Sequence, residues 1–156
     1  MIDFTTKTDL EIIEFVDQNR DLFGGELSED FPESLYKKHA AGQLFFIKKV
    51  EGFAIWNKGL LPQYFFLGRF AELDFIHVQP AYGGKGIGRG IVREVQDQID
   101  PRQTLELTCK GVERKRLFES CGFEVEGYEG AVDLYGMTWK SDKAEVAGAT
   151  INGVHG

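Results

Sequence analysis

Val78-Gln79-Pro80-Ala81-Tyr82-Gly83-Gly84-Lys85-Gly86-Ile87-Gly88-Arg89-Gly90 joins an apolar strand to a helix through a glycine-rich, basic turn. Upstream, the stretch from Phe70 to Val78 is rich in strand formers. Downstream, Ile87, Ile91, Val92, Val95 and Ile99 recur at helical spacing. Glycines let a backbone approach a ligand without Cβ atoms in the way, and N–H groups at a helix N-terminus attract an anion. A plain tight turn rarely needs so many, because each glycine in or beside a helix costs roughly 1 kcal/mol relative to alanine. The turn therefore predicts a phosphate cradle and a pyrophosphate-bearing ligand. It is neither of two better-known phosphate loops. A Walker A loop needs Ser or Thr after Gly-Lys, but Gly86 follows Lys85; a dinucleotide fingerprint starting at Gly86 and Gly88 needs glycine where Ile91 stands.

Two segments carry a resemblance. Val78-x-Pro80-x-Tyr82-x-Gly84-Lys85-Gly86-Ile87-Gly88 resembles the acetyl-CoA-binding segment of the GCN5-related N-acetyltransferase (GNAT) superfamily. Arg116-Leu117-Phe118-Glu119-Ser120-Cys121-Gly122-Phe123-Glu124 is similar to that family's later segment, a helix that ends at glycine and turns into a strand. Gly130 to Lys140, with Tyr135, Met137 and Trp139, resembles the closing strand, so matches in family order span residues 70 to 140. The resemblance implies an α/β (α+β) GNAT fold, a mixed central sheet of six to seven strands flanked by about four helices. It also implies transfer of an acetyl group from acetyl-CoA to a primary amine by direct attack, with no metal. Ile76, His77 and Val78 on the strand, Gly83, Gly84, Lys85, Gly86, Ile87, Gly88 and Arg89 on the turn, and Phe118 on the later helix are the implied cofactor contacts.

Direct attack on a thioester needs a base for the ammonium, and a carboxylate serves if its pKa suits the operating pH. By the resemblance Glu72 is the leading candidate, with Asp74 and His77 as further catalytic candidates. Strand periodicity puts Glu72, Asp74, Ile76 and Val78 on one face and Leu73, Phe75 and His77 on the other. Like charges two residues apart raise one of the two carboxyl pKa values, which helps a base. Three positions depart from the family pattern. Gly83 replaces a side chain that usually opens the phosphate string, Gly111 replaces a common asparagine, and Phe118 stands where a tyrosine commonly protonates the leaving thiolate. Cys109 or Tyr128 could supply that proton instead; otherwise the chain is a slow enzyme, or a GNAT-fold module that binds acyl-CoA or another protein without transfer.

Length and composition fit one domain, residues 1–140, followed by a small, polar tail from 141 to 156 that is expected to be flexible. No cationic leader with an apolar core and no long apolar run is present, so neither export nor a membrane partner is indicated and a cytoplasmic protein is expected. Cys109 and Cys121 lack metal-ligand spacing with histidines. The net charge of −7 argues against nucleic acid as a partner. Against that acidic background, Lys85, Arg89 and Arg93 form a run free of acids, and Lys110, Arg114, Lys115 and Arg116 cluster at the next helix start, where coenzyme A phosphates would suit them. The acidic remainder favours a cationic acyl acceptor, an amine whose identity stays open. The chain is read as a monomer or a homodimer.

Elsewhere the pattern predicts a short strand near Ile2 to Phe4 and a helix from the capping box Thr8-Asp9-Leu10-Glu11 to about Phe23-Gly24-Gly25. A second helix runs from Asp30 to Ala41-Gly42, and strands Leu44 to Lys49 and Phe53 to Trp56 flank a turn. After the phosphate turn come a helix from Ile87 to Ile99, a strand from Thr104 to Cys109, a helix from Val112 to Cys121 capped by Gly122, and strands Phe123 to Tyr128 and Val132 to Lys140. The apolar stretch Leu60 to Leu67 reads as an extra short strand, a dimer contact or a pocket wall.

Overall fold

Thr8 starts the first helix as the capping box requires. Its hydroxyl accepts from the Glu11 N–H at 3.2 Å, and the Glu11 carboxylate accepts from the Thr8 N–H at 3.1 Å. The computed structural model describes residues 2–23, 29–61 and 66–142. In chain order the elements are α1 (Asp9–Gln18), α2 (Phe31–Ala40), β1 (Leu44–Lys48), β2 (Gly52–Asn57), β3 (Leu60–Leu61) and β4 (Phe66–Leu67). They continue with β5 (Phe70–Val78), α3 (Ile87–Gln98), β6 (Thr104–Lys110), α4 (Val112–Ser120), β7 (Glu124–Glu129) and β8 (Leu134–Lys140). Six strands form one mixed sheet in the order β1-β2-β5-β6-β8-β7, in which β5 and β6 are the parallel pair. β3 and β4 pair with each other, so the apolar stretch is a small hairpin at its described ends; residues 62–65 between them, like 143–156 of the expected tail, lie outside the described residues.

The expected strand at Ile2 to Phe4 is a correction: Phe4–Thr6 is a 3-10 turn. The Asp3 carboxylate accepts from the Thr5 N–H at 3.0 Å, and such local side-chain bonding competes with strand pairing. Phe4 is nonetheless buried, and the Gln79 amide donates to the Ile2 carbonyl at 2.6 Å, tying the N-terminal segment to the end of β5. α1 also stops earlier than its pattern suggests, at Gln18, where Asn19 turns its side-chain amide back onto the Phe15 carbonyl at 2.8 Å; a 3-10 turn at Arg20–Phe23 follows, and Gly24 and Gly25 lie outside the described residues.

Each face of the sheet has its own core. On one, Ile91, Val92 and Val95 of α3 and Phe118 of α4 pack on Ala54, Ala71, Leu73, Leu105, Leu107 and Met137. On the other, Ile12, Ile13 and Val16 of α1 and Leu35 of α2 cover Leu44, Phe53, Ile55 and Phe75. Burying each such aliphatic side chain contributes on the order of 1.5–3 kcal/mol. α4 ends as the sequence predicts. Gly122 takes φ of +91°, the Phe123 N–H donates to the Phe118 carbonyl at 3.1 Å and the Gly122 N–H to the Glu119 carbonyl at 3.0 Å, a Schellman cap.

β5 carries the irregularity that matters. Ile55 pairs with Phe75 and Trp56 with Leu73, so Asp74 is an extra residue without a partner on β2. The strict alternation expected for this strand is therefore corrected. Ala71 and Leu73 face the α3 side together with Ile76 and Val78, whereas Phe75 faces the α1 and α2 side. Glu72 and Asp74 share a face as expected, but with Phe75 and His77, not with Ile76 and Val78.

Candidate active site

The glycine-rich turn is built on backbone conformations that only glycine adopts cheaply. Gly84 has φ of +74° and Gly86, which caps α3, has φ of +77°; a Cβ at either would meet no atom within 4 Å, so conformation and not crowding selects glycine there. No side chain caps α3, and its first helical bond runs from the Gly90 N–H to the Gly86 carbonyl at 3.1 Å. The N–H groups of Ile87, Gly88 and Arg89 therefore precede the helical ladder and face outward with the positive end of the helix dipole. Lys85 and Arg89 stand exposed beside them. Such a helix end is suited to an anion.

From that cradle a wedge leads into the sheet. β5 and β6 pair only at Phe70–Thr104, Ala71–Leu105 and Glu72–Glu106; beyond the last rung the strands part. Val78 marks the wide end beside the cradle and Glu72 the vertex, six residues apart, or roughly 20 Å along an extended strand. At the wide end of β6, Gly111 caps α4 with φ of +89° and again no side-chain cap, so two helix N-termini flank the opening. Ile76, Val78 and Ile87 line the α3 side and pack on its core.

At the vertex the carboxylates gather. Glu72 and Glu106 lie side by side, and burial followed by the charge of Glu72 raises the Glu106 pKa from its ordinary value. Asp74 has a side chain only 2 % exposed. It accepts from Lys38 Nζ of α2 at 3.1 Å and from Asn57 Nδ2 of β2 at 2.9 Å. Burial raises its pKa to about 6, Glu72 adds to the rise, and Lys38 and the two hydrogen bonds oppose it. Glu106, Thr108, Glu126 and Thr138 continue this face across β6, β7 and β8, around a cavity of about 260 Å³ that Glu72 also lines. Thr138 Oγ1 donates to Glu126 Oε1 at 2.9 Å.

His77 is elsewhere. It sits at the far end of β5 among Phe4, Phe15 and Phe53, with ring centroids 5.7–6.2 Å away, and burial lowers its pKa. That is the setting of a neutral, packed imidazole. Phe118 is buried against Phe123, ring centroids 5.7 Å apart. Of the two alternative proton donors, Cys109 is buried against Met137, and Tyr128 lies on the outermost strand with its hydroxyl on Asp133 at 3.0 Å. The charge at Asp133 and the loss of solvent push the Tyr128 pKa up, through that hydrogen bond first. Among the described residues no group of three or more His, Cys, Asp or Glu side chains is placed to hold a metal ion, and no helix is long and apolar enough to cross a membrane.

Lys38, Asn57, Glu106 and Glu126 were not legible as site residues from the sequence. Glu106 left one signal, an acid in the alternating strand Thr104-Leu105-Glu106-Leu107, but its rung opposite Glu72 depends on register.

Known structures share this architecture. A GNAT-family protein from Desulfovibrio desulfuricans superposes with a TM-score of 0.58 at 19% identity, over 85% of this chain and 92% of its own. An acetyltransferase from Thermus thermophilus gives a TM-score of 0.58 at 15% identity, over 82% and 87% of the two chains. The PaiA N-acetyltransferase of Thermoplasma acidophilum, solved with coenzyme A, gives 0.56 at 19% identity, over 85% and 93%. No family model matches the sequence, and no curated protein matches it significantly. The fold is that of the GNAT acetyltransferases.

Proposed function

We propose that this chain is an acetyl-CoA-dependent N-acetyltransferase whose acceptor is a cationic primary amine and whose general base is Glu72. One observation carries the reading above the others: the wedge between β5 and β6 runs from the uncapped, glycine-built N-terminus of α3 to a carboxylate at its vertex. A ligand with phosphates at one end and a thioester at the end of an extended arm fits that path. The coenzyme A bound in the PaiA structure, on the same fold, supports the choice.

The chemistry needs little from the protein. Glu72, directly or through a water, takes a proton from the ammonium; the amine nitrogen attacks the thioester carbonyl carbon, the C–N bond forms, the nitrogen gives up its second proton to solvent, and the C–S bond breaks to release coenzyme A thiolate. The acidic face formed by Glu72, Glu106 and Glu126 favours a cation on the acceptor side. Phe118 cannot donate a proton, so the thiolate is protonated by solvent. One specific observation favours a second reading, acyl-CoA binding without transfer: Phe118 removes the usual general acid, while Cys109 is buried and the Tyr128 hydroxyl is committed to Asp133.

Mixing the protein with acetyl-CoA and a panel of amines while following free thiol separates the two. Transfer requires thiol release that depends on an amine and collapses in Glu72→Gln. Calorimetric binding of acetyl-CoA with no thiol release from any amine would establish the binder instead.

A further inference from the structure

We infer that Lys38 is a positioning residue: acting through Asp74, it pins α2 to the bulge of β5 and keeps the Asp74 carboxylate ionised and ion-paired beside Glu72 at neutral pH. The functional half of this inference rests on the transferase reading; the electrostatic half does not.

The extra residue on β5 is the origin of the coupling. A bulge turns Asp74 to the α1 and α2 side without a partner on β2, and its carboxylate is buried there, the side chain only 2 % exposed. Enclosed carboxylates protonate unless donors and a cation hold the charge. Asn57 supplies one donor but no charge, and its orientation is fixed because its Oδ1 accepts from the Gly59 N–H at 2.9 Å. The charge must come from Lys38 Nζ at 3.1 Å, on a side chain 29 % exposed. Part exposure lets the ammonium keep some water while it pairs, which avoids most of the cost of burying both ions. The groups that face Asp74 are thus Lys38 from α2, Asn57 from β2 and Glu72 on its own strand, with Glu106 of β6 one rung beyond Glu72. Glu72 drives Asp74 toward its neutral form and Lys38 opposes it, so the state of Asp74 is set by Lys38.

The consequence is specific. Without Lys38 the Asp74 carboxyl holds its proton through neutral pH, so one positive and one negative charge are lost together; raising the pH ionises Asp74 with no cation beside it and leaves the corner more negative than in the wild type. Carbon-13 carboxyl shifts followed by NMR, with the Asp74 resonance assigned from Asp74→Asn, report this without any turnover. The expected midpoint is near 6 in the wild type, at least one pH unit higher in Lys38→Met, and near the wild-type value in Lys38→Arg. In turnover, Lys38→Met should leave KM for a cationic amine near the wild-type value at pH 7 and lower it at pH 9, with calorimetric acetyl-CoA affinity unchanged. An Asp74 midpoint that is the same in Lys38→Met as in the wild type overturns the inference whatever the activity. A midpoint that moves as expected, in a protein that releases no thiol with any amine, upholds the Lys38–Asp74 coupling and defeats the transferase reading instead.

Discussion

Glu72 and Glu106 occupy the last rung of the parallel β5–β6 ladder, so two carboxylates stand side by side where the strands begin to part. A base is useful at that vertex because an acyl arm laid in the wedge ends there. Glu72→Gln keeps the side chain's shape but removes the proposed base, so kcat should fall on the order of a hundredfold or more, the usual scale of general base catalysis. Acetyl-CoA affinity, measured by calorimetry, should stay within about twofold, because the phosphate cradle lies roughly 20 Å away along β5. Equal losses in both would place Glu72 in folding or cofactor binding.

Glu106 has a different task. Its carboxylate faces the cavity shared with Glu126 and is only part-buried, so it suits attraction of a cation better than proton transfer. Glu106→Gln should raise KM for cationic amines and leave kcat near the wild-type value. The effect should shrink as salt is raised, since the long-range attraction of a cation toward the site is screened beyond about 10 Å at 0.1 M ionic strength. KM measured at several salt concentrations checks this, and a salt-independent defect would refute it.

The cradle glycines separate by conformation. Gly84 and Gly86 lie at φ of +74° and +77°, where a Cβ costs about 1–2 kcal/mol, while Gly90 sits within α3 with nothing within 4 Å of a Cβ. Gly84→Ala and Gly86→Ala should lower thermal stability and weaken acetyl-CoA binding together. Gly90→Ala should raise stability by up to about 1 kcal/mol through helix propensity alone. A calorimetric series on the three variants tests whether backbone shape, and not mere smallness, makes the site.

Much of this was legible along the chain because the signals are local. Phe70–Val78 was bounded by its strand formers, Gly122 by the cap it makes, Thr8 by its reciprocal bonds with Glu11, and the glycine-rich turn by residues at a φ that other side chains rarely adopt. What failed depended on partners far away in sequence. The bulge at Asp74 follows from pairing with β2, and nothing in Glu-Leu-Asp-Phe announces an extra residue. Lys38 reaches Asp74 across 36 positions, and His77, a catalytic candidate by residue type, is enclosed by Phe4 and Phe15, which approach only when the N-terminal segment folds back. Resemblance to the family pointed to Glu72 as the candidate base; the neighbours that surround it required register.

Asp74 ties that tuning to stability, with a definite sign. Its pKa rises from 3.8 to about 6 on folding, so its contribution to stability is fully present below about pH 4 and is lost as pH climbs through 6. The loss is about 2–3 kcal/mol, since each tenfold change in acidity is worth roughly 1.4 kcal/mol. Asp74→Asn cannot titrate and should lack this slope. Its amide will also set Nδ2 against one of two donors, Asn57 Nδ2 or Lys38 Nζ, whichever way it turns; that adds a penalty independent of pH, so the slope and not the absolute stability is the readout. Urea unfolding at intervals from pH 4 to pH 8 should show the wild type losing ground relative to Asp74→Asn between pH 4 and pH 6, with a constant difference above pH 7. Parallel curves across the whole range would mean that Asp74 is ionised as easily in the folded chain as in water, and that Lys38 and Asn57 fully offset its burial.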